Sequence, residues 1–425
     1  MSHDKNTAVE SLPMNFDKPT PAVDSWPCGT PKRMPAEDSA AVRQAVLNNK
    51  QQKLVALTPV KLSTNASHCY PCGVMRAAEF AAPQSSSDTP LDSLSINRRS
   101  LIVGGGALAV AAGSYHLWAN ANLPRASVFI AKNQRYDGAL ATTIREGLLA
   151  AGFDADWVRG RRVLLKPNLV EPSRLSPQMT THPLVVLATA EVFLRWGATV
   201  TVGEGPGHVR DTENALYESG LAAVIDDSRL NFVDLNYEET AWMPNRGRTC
   251  KLAGFHFPKS VVEADLLVSL PKMKTHHWVG FTASLKNFYG VIPGIRYGWP
   301  KNVLHHQGIP ETIYDINASI PRAIGIVDGI ECMEGDGPIL GTPKPMGLLL
   351  MGTNLVALDA TVGRIMGLVP EKVSYMQLAA DRLGPIADSR IEQRGEAWQP
   401  LVNPFKVLDE PHLQILTTQK TQLIT

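Results

Sequence analysis

From residue 125 onward, short continuous apolar runs alternate with segments whose apolar positions recur every three or four residues. Residues 127–131 (SVFIA), 162–167 (RVLLKP), 198–202 (ATVTV) and 231–235 read as strands, followed by the apolar run 265–270 and later strands at 323–327 and 348–351. Helical periods occupy 138–151, 211–219 and about 355–366. A further helix opens at Thr181-His182-Pro183 and runs through Trp196, with Thr181 or His182 near the cap and Pro183 in the first turn, where a missing N–H leaves no hydrogen bond unmade. Apolar strands set between helices predict an α/β fold with a mostly parallel sheet and helices on both faces. One such domain is expected over 122–425. No internal repeat is visible.

In open sheets of this kind, ligands sit beyond the carboxyl ends of the strands. Polar groups follow four strand ends here: Lys166-Pro167-Asn168, Gly203-Glu204-Gly205-Pro206-Gly207-His208, Lys272-Met273-Lys274-Thr275-His276, and Asp328-Gly329-Ile330-Glu331 with Glu334 to Pro338 beyond. Their recurrence at one end of successive strands predicts a single site. Residues 270–294 (LPKMKTHHWVGFTASLKNFYGVIPG) form its centre, because cations and amides are interleaved there with Trp278, Phe281, Phe288 and Tyr289. That mixture suits a pocket rim, with apolar walls and a few polar groups aimed inward.

Each group has a second reading. The Gly203–Gly207 loop either turns tightly or brings N–H groups near an anion ahead of the helix at Asp211; it matches neither a dinucleotide fingerprint nor a Walker loop. Lysines usually lie on a solvated face. If Lys166, Lys272, Lys274 and Lys286 converge, they form a carboxylate or phosphate site, and a desolvated amine among them could act as base or nucleophile. Seven of the eleven histidines lie between 182 and 306: His182, His208, His256, His276, His277, His305 and His306. Imidazole titrates near neutrality, which makes His276 the candidate for moving a proton. Asp328 and Glu334, with a histidine pair, are the candidate ligands of a divalent metal, although no HxH or HExxH spacing occurs. Asp359, one turn into an apolar helix, needs a partner: a loop N–H or one of the lysines.

Composition narrows the classes. The 425 residues are 44% apolar with a formal net charge of +1, enough for a sizeable core and without the basic face that nucleic acid needs. Residues 1–95 are rich in Pro, Ser, Asp and Thr without sustained apolar period, and are expected to be disordered or a mis-assigned extension. The Cys69-Tyr70-Pro71-Cys72 pair within them has no second pair, so chance is its better reading. At 96–121 the order changes to Arg98-Arg99, a Gly/Ala-rich apolar segment and Ala119-Asn120-Ala121. This resembles a twin-arginine export signal, with a membrane anchor as the alternative if it stays uncleaved. Met75 would start a signal of ordinary length. Cys250 and Cys332, alone in the body, make neither a disulfide scaffold nor an iron–sulfur site.

Taken together, Lys166-Pro167-Asn168, the His-Pro at 182–183, GEGPG at 203–207, KMKTH at 272–276, SLKNFYG at 284–290, EGDGP at 334–338 and NLVALDA at 354–360 resemble the domain-of-unknown-function family numbered 362. The resemblance spans roughly 125–382. Many members carry a four-iron ferredoxin-like cysteine cluster, which this chain lacks. A more distant similarity, in strand order and a Lys/His-rich pocket, is to the nickel-pincer lactate racemases. The expectation is an exported, periplasmic enzyme acting on a small anionic molecule by racemase-like proton transfer, with cofactor-dependent redox as a further possibility for the chemistry. His276, Lys274 and Glu204 are its candidate catalytic residues, and Lys166, Asn168, Lys272, Thr282, Lys286 and Asn287 would hold substrate. The expected partners are that anion and the twin-arginine export machinery. The alternative is a periplasmic carrier for a metal, cofactor or anion.

Overall fold

The computed structural model describes residues 125–208 and 210–417. The expectations for residues 1–95, for Cys69 and Cys72, and for the signal at 96–121 lie outside the described residues.

The large sheet is built from β1 (Ala126–Ala131), β2 (Arg162–Lys166), β3 (Thr199–Glu204), β4 (Asn231–Asp234), β7 (Leu266–Ser269), β8 (Lys272–His276), β9 (Gly280–Thr282), β10 (Ala323–Glu334), β11 (Thr342–Gly352) and β12 (Ile391–Gly395). A separate antiparallel hairpin, β5 (Thr240–Pro244) with β6 (Gly254–Pro258), was not foreseen. Along the main path the order is β12-β1-β11-β10-β7-β2-β3-β4, and β8 and β9 extend the sheet beside β10. All strands of this sheet except β9 and β11 run one way. It is therefore mostly parallel.

Helices cover both faces, and two glycines show why. A Cβ on Gly147 would lie 2.3 Å from Met351 Sδ and 2.5 Å from Phe129 Cδ1, so the helix Leu140–Ala150 is seated directly on that face. Val128 and Gly352, the chain neighbours of Phe129 and Met351, face the other way. The space above Gly352 belongs to Leu358 of the helix Leu355–Ile365. The central strand β7 is buried at every position, as a strand covered on both faces must be.

The structure departs from the expected elements where polarity masks a strand. β10 continues through Glu334, well past the apolar stretch 323–327, and returns antiparallel as β11. Its second half carries Asp328, Glu331 and Glu334, so it reads as a loop. Likewise KMKTH is not a loop after a strand; it is β8, pairing with β10 and, through β9, forming a hairpin. That sets Lys272, Lys274 and His276 at every second position of one strand, spread over roughly 13 Å at the usual rise. Three side chains so spaced do not converge on one point.

Candidate functional site

The site begins at the carboxyl ends of β2 and β3. Neighbouring strands place Lys166 and Glu204 side by side, Nζ to Oε2 at 2.7 Å, with both side chains almost completely buried. Glu204 Oε1 accepts the Gly205 N–H at 2.9 Å, and Lys166 also donates to the Pro167 carbonyl (2.7 Å) and Asn287 Oδ1 (3.1 Å). Burial pulls the Lys166 ammonium below its ordinary pKa, while Glu204 pulls it back up. Asn287 locks the centre. Its Nδ2 donates to the Lys166 carbonyl at 2.9 Å and Ser269 Oγ at 3.1 Å, which leaves Oδ1 as the acceptor for Lys166 and for Asn168 Nδ2 at 3.1 Å. The orientation of both amides follows from this chain of donors. Asn168 Oδ1 is left buried without a protein partner.

Asp359 holds the element that delivers Asn287. Its two oxygens accept the N–H groups of Ser284 and Leu285, each at 2.8 Å, at the start of the short helix Ser284–Asn287. The first of its two expected partners, a loop N–H, is the one found. Burial pushes this carboxyl up to about 7, against the two backbone hydrogen bonds. Replacing it by alanine would leave two buried N–H groups unmade, so Asp359→Ala is expected to lower stability by about 2–3 kcal/mol in urea denaturation. The lost order should fall on residues 284–290.

Beyond the ion pair lies a cavity of about 320 Å³ whose lining includes Lys166, Asn168, Glu204, His276, Thr282, Lys286, Asn287, Tyr289, Lys301 and His305. Lys286 Nζ sits 4.2 Å from the centre of the Tyr289 ring. Burial and, secondarily, Lys166 pull it down to about 7. Lys301 donates to the carbonyls of Gly205 (3.0 Å) and Ile292; burial brings it, too, to about 7. Sequence reasoning missed Lys301. It follows a Gly-Trp-Pro turn, with no strand end to point to it.

Two imidazoles of the cavity lining, His276 and His305, are neutral at physiological pH. Burial, with Lys286 next, holds His276 well below its ordinary pKa, and the same pair of causes brings His305 to about 4. His276 Nδ1 accepts the Trp278 N–H at 3.2 Å, so the ring carries its proton on Nε2. In that form it is a hydrogen-bond donor.

The remaining expected residues are elsewhere. Lys272 pairs with Asp328 at 2.6 Å, and Tyr136 and the His182 N–H complete that buried knot (3.0 and 2.9 Å to Asp328). Lys274 donates to the carbonyls of Met179 (2.6 Å) and Pro338 (3.2 Å) and is absent from the cavity lining. Glu334 is held by Lys344 at 2.9 Å. Asp328 and Glu334 are thus each tied to a lysine and do not share a point. Among the described residues no cluster of three His, Cys, Asp or Glu could hold a metal ion, so the donor set does not fit a divalent metal.

Gly290 lines the cavity directly against the ion pair. A Cβ there would meet Lys166 Nζ at 2.5 Å and Glu204 Oε1 at 2.6 Å. Gly290→Ala is expected to push the ion pair out of register and weaken ligand binding at least about tenfold, the effect of roughly one misplaced charged hydrogen bond, as measured by calorimetric titration.

The fold and site define an α/β protein with a lysine-rich pocket at the carboxyl ends of its parallel strands. Residues 163–364 match the family model "Domain of unknown function (DUF362)". The chain is 31% identical over 265 residues to the thylakoid-associated protein sll1697 of Synechocystis sp., covering 61% of this chain and 79% of that protein. This chain belongs to the DUF362 family. Among solved structures, it is similar to the lactate racemase apoprotein from Thermoanaerobacterium thermosaccharolyticum, at 16% identity and a TM-score of 0.31, over 48% of this chain and 50% of that one. The match thus spans half the length of that racemase. No helix among the described residues is long and apolar enough to cross a membrane.

Proposed function

We propose that the protein is an enzyme acting on a small organic anion, a carboxylate or phosphate, held in this cavity. Charge balance carries the reading. Lys166, Lys286 and Lys301 line the hollow against Glu204, the sole carboxylate among the described residues of its lining, and Glu204 is already paired with Lys166. An anionic ligand supplies the missing counter-charge, and in a desolvated pocket that attraction is far stronger than in water.

The reaction that suits these groups is proton transfer beside a carboxylate. Buried cations stabilise an enolate as its charge develops, and a neutral imidazole N–H at His276 adds a directed donor. An amine near neutrality at Lys286 can give or take a proton at physiological pH. Lys272 and Lys274 lie outside the cavity lining, and His276, expected to move the proton, is held neutral as a donor, so the proton-moving role passes to Lys286.

The export reading belongs to the same proposal, supported by Arg98-Arg99 ahead of the Gly/Ala-rich segment. Changing both arginines to lysine is expected to retain the protein in the cytoplasm on cell fractionation; unchanged distribution would remove the export proposal. For the site, the test is native purification, mass spectrometry of bound small molecules, and calorimetric titration with acetate and phosphate. Saturable binding of an anion, lost in Lys286→Ala, is the expected result. An anion bound without any turnover of hydroxy or amino acids would leave a carrier, and the absence of anion binding would end both readings.

A further inference from the structure

The lysines at this end of the sheet divide sharply by what their amines touch. Lys166 donates to Glu204, Pro167 and Asn287. Lys272 donates to Asp328 and Tyr136. Lys274 and Lys301 each donate to two backbone carbonyls. Lys286 makes none of these bonds. Its amine lies over the Tyr289 ring and lines the cavity. An ammonium carries three N–H donors; four neighbours place two or three of theirs on protein oxygens, while this one is offered an aromatic face. Such an amine is poorly solvated yet open to a ligand, the situation in which lysine becomes a nucleophile.

We propose that Lys286 forms an imine with the carbonyl carbon of a small anionic aldehyde or ketone, an oxo acid being the simplest member. This rests on the reading of the cavity as an anion site and names the substrate class within it. The amine lone pair adds to the carbonyl carbon while the C=O π pair moves to oxygen. That oxygen takes one proton from the amine and one from solvent and leaves as water. A protonated imine remains, positively charged like the ammonium it replaces, so the attraction for the carboxylate is kept. Its electron-withdrawing C=N bond acidifies the C–H beside it, which is the proton transfer already assigned to the pocket.

Three features of the surroundings agree. The cavity of about 320 Å³ has room for an oxo acid of several heavy atoms. The ion-paired Lys166 lies near enough to depress Lys286 without competing for the carbonyl, because its own amine is fully engaged. Burial favours the uncharged amine, the form that attacks.

The test uses the native full-length protein with glyoxylate and sodium borohydride, followed by peptide mass spectrometry. Acetaldehyde serves as the neutral comparison and acetate as a competitor without a carbonyl. The expected result is one reduced adduct on the peptide carrying Lys286, in excess over exposed lysines such as Lys132 and Lys406, diminished by acetate and absent in Lys286→Arg. If acetate binds by calorimetry but no adduct forms, the imine is overturned while the anion site stands. Equal labelling by acetaldehyde and glyoxylate, indifferent to acetate, would overturn the anionic substrate class. Labelling spread over exposed lysines alone would overturn the assignment to Lys286.

Discussion

Lys166→Met is expected to destabilise the protein by about 3–5 kcal/mol, because it strands the Glu204 carboxylate in a site where both side chains are almost completely buried. Methionine matches the length and fills the space, so the loss reports the unpaired charge and not a hole. The pair also anchors Asn287 and Gly205, and the double variant Lys166→Met/Glu204→Gln is expected to recover most of the deficit. Urea denaturation of the three variants completes the cycle. If the single variant loses under about 1 kcal/mol, the range of an exposed pair, the ion pair is not a keystone of the fold.

Lys286→Met should behave in the opposite manner. Lys286 makes no ion pair, so its removal is expected to leave the fold intact while reducing anion affinity by about 10–100-fold, the range for one charged hydrogen bond. The accompanying pH dependence has a definite sign. The folded amine is pulled to about 7 from 10.5 by burial and Lys166. Between those values the unfolded chain holds a proton that the folded chain does not, so this group's contribution to stability rises with pH across that window. Anion binding requires the ammonium, so affinity is expected to fall as pH rises through about 7, approaching tenfold per unit. Glu204, Lys166, Lys274 and Lys301 share the field, and His276 and His305 stay neutral above their depressed values. Calorimetry from pH 6 to 9 on wild type and Lys286→Met separates the Lys286 contribution from theirs; these limits bracket about 7 on either side.

Much of this arrangement was legible in the sequence for a physical reason. Parallel strands are covered on both faces and polar side chains gather at their carboxyl ends, so Lys166, Glu204 and Asn168 could be assigned together from the apolar runs before them. Lys286 and Asn287 were found by the mixture of cations and aromatics around them. The limit was reached at β8 and β10, where a strand carries charged residues inward. Lys272 and Asp328 cancel one another across the register, and such a pair reads from either segment alone as surface loop. Lys274 was placed in the site because KMKTH follows the apolar run 265–270 as if it were a loop at a strand end, whereas alternate positions on the extended strand β8 string its basic side chains apart. Lys301 and Tyr136 escaped notice because each reaches its partners from a distant loop.

The most direct test of the cavity's unmatched charge is the titration of the Lys286 amine by NMR of isotope-labelled lysine, with and without saturating acetate. The account predicts a value near 7 in the free protein and a clear rise when acetate is bound, since an anion favours the charged form. A Lys286 that titrates at 10.5, the ordinary lysine value, and ignores acetate would contradict it.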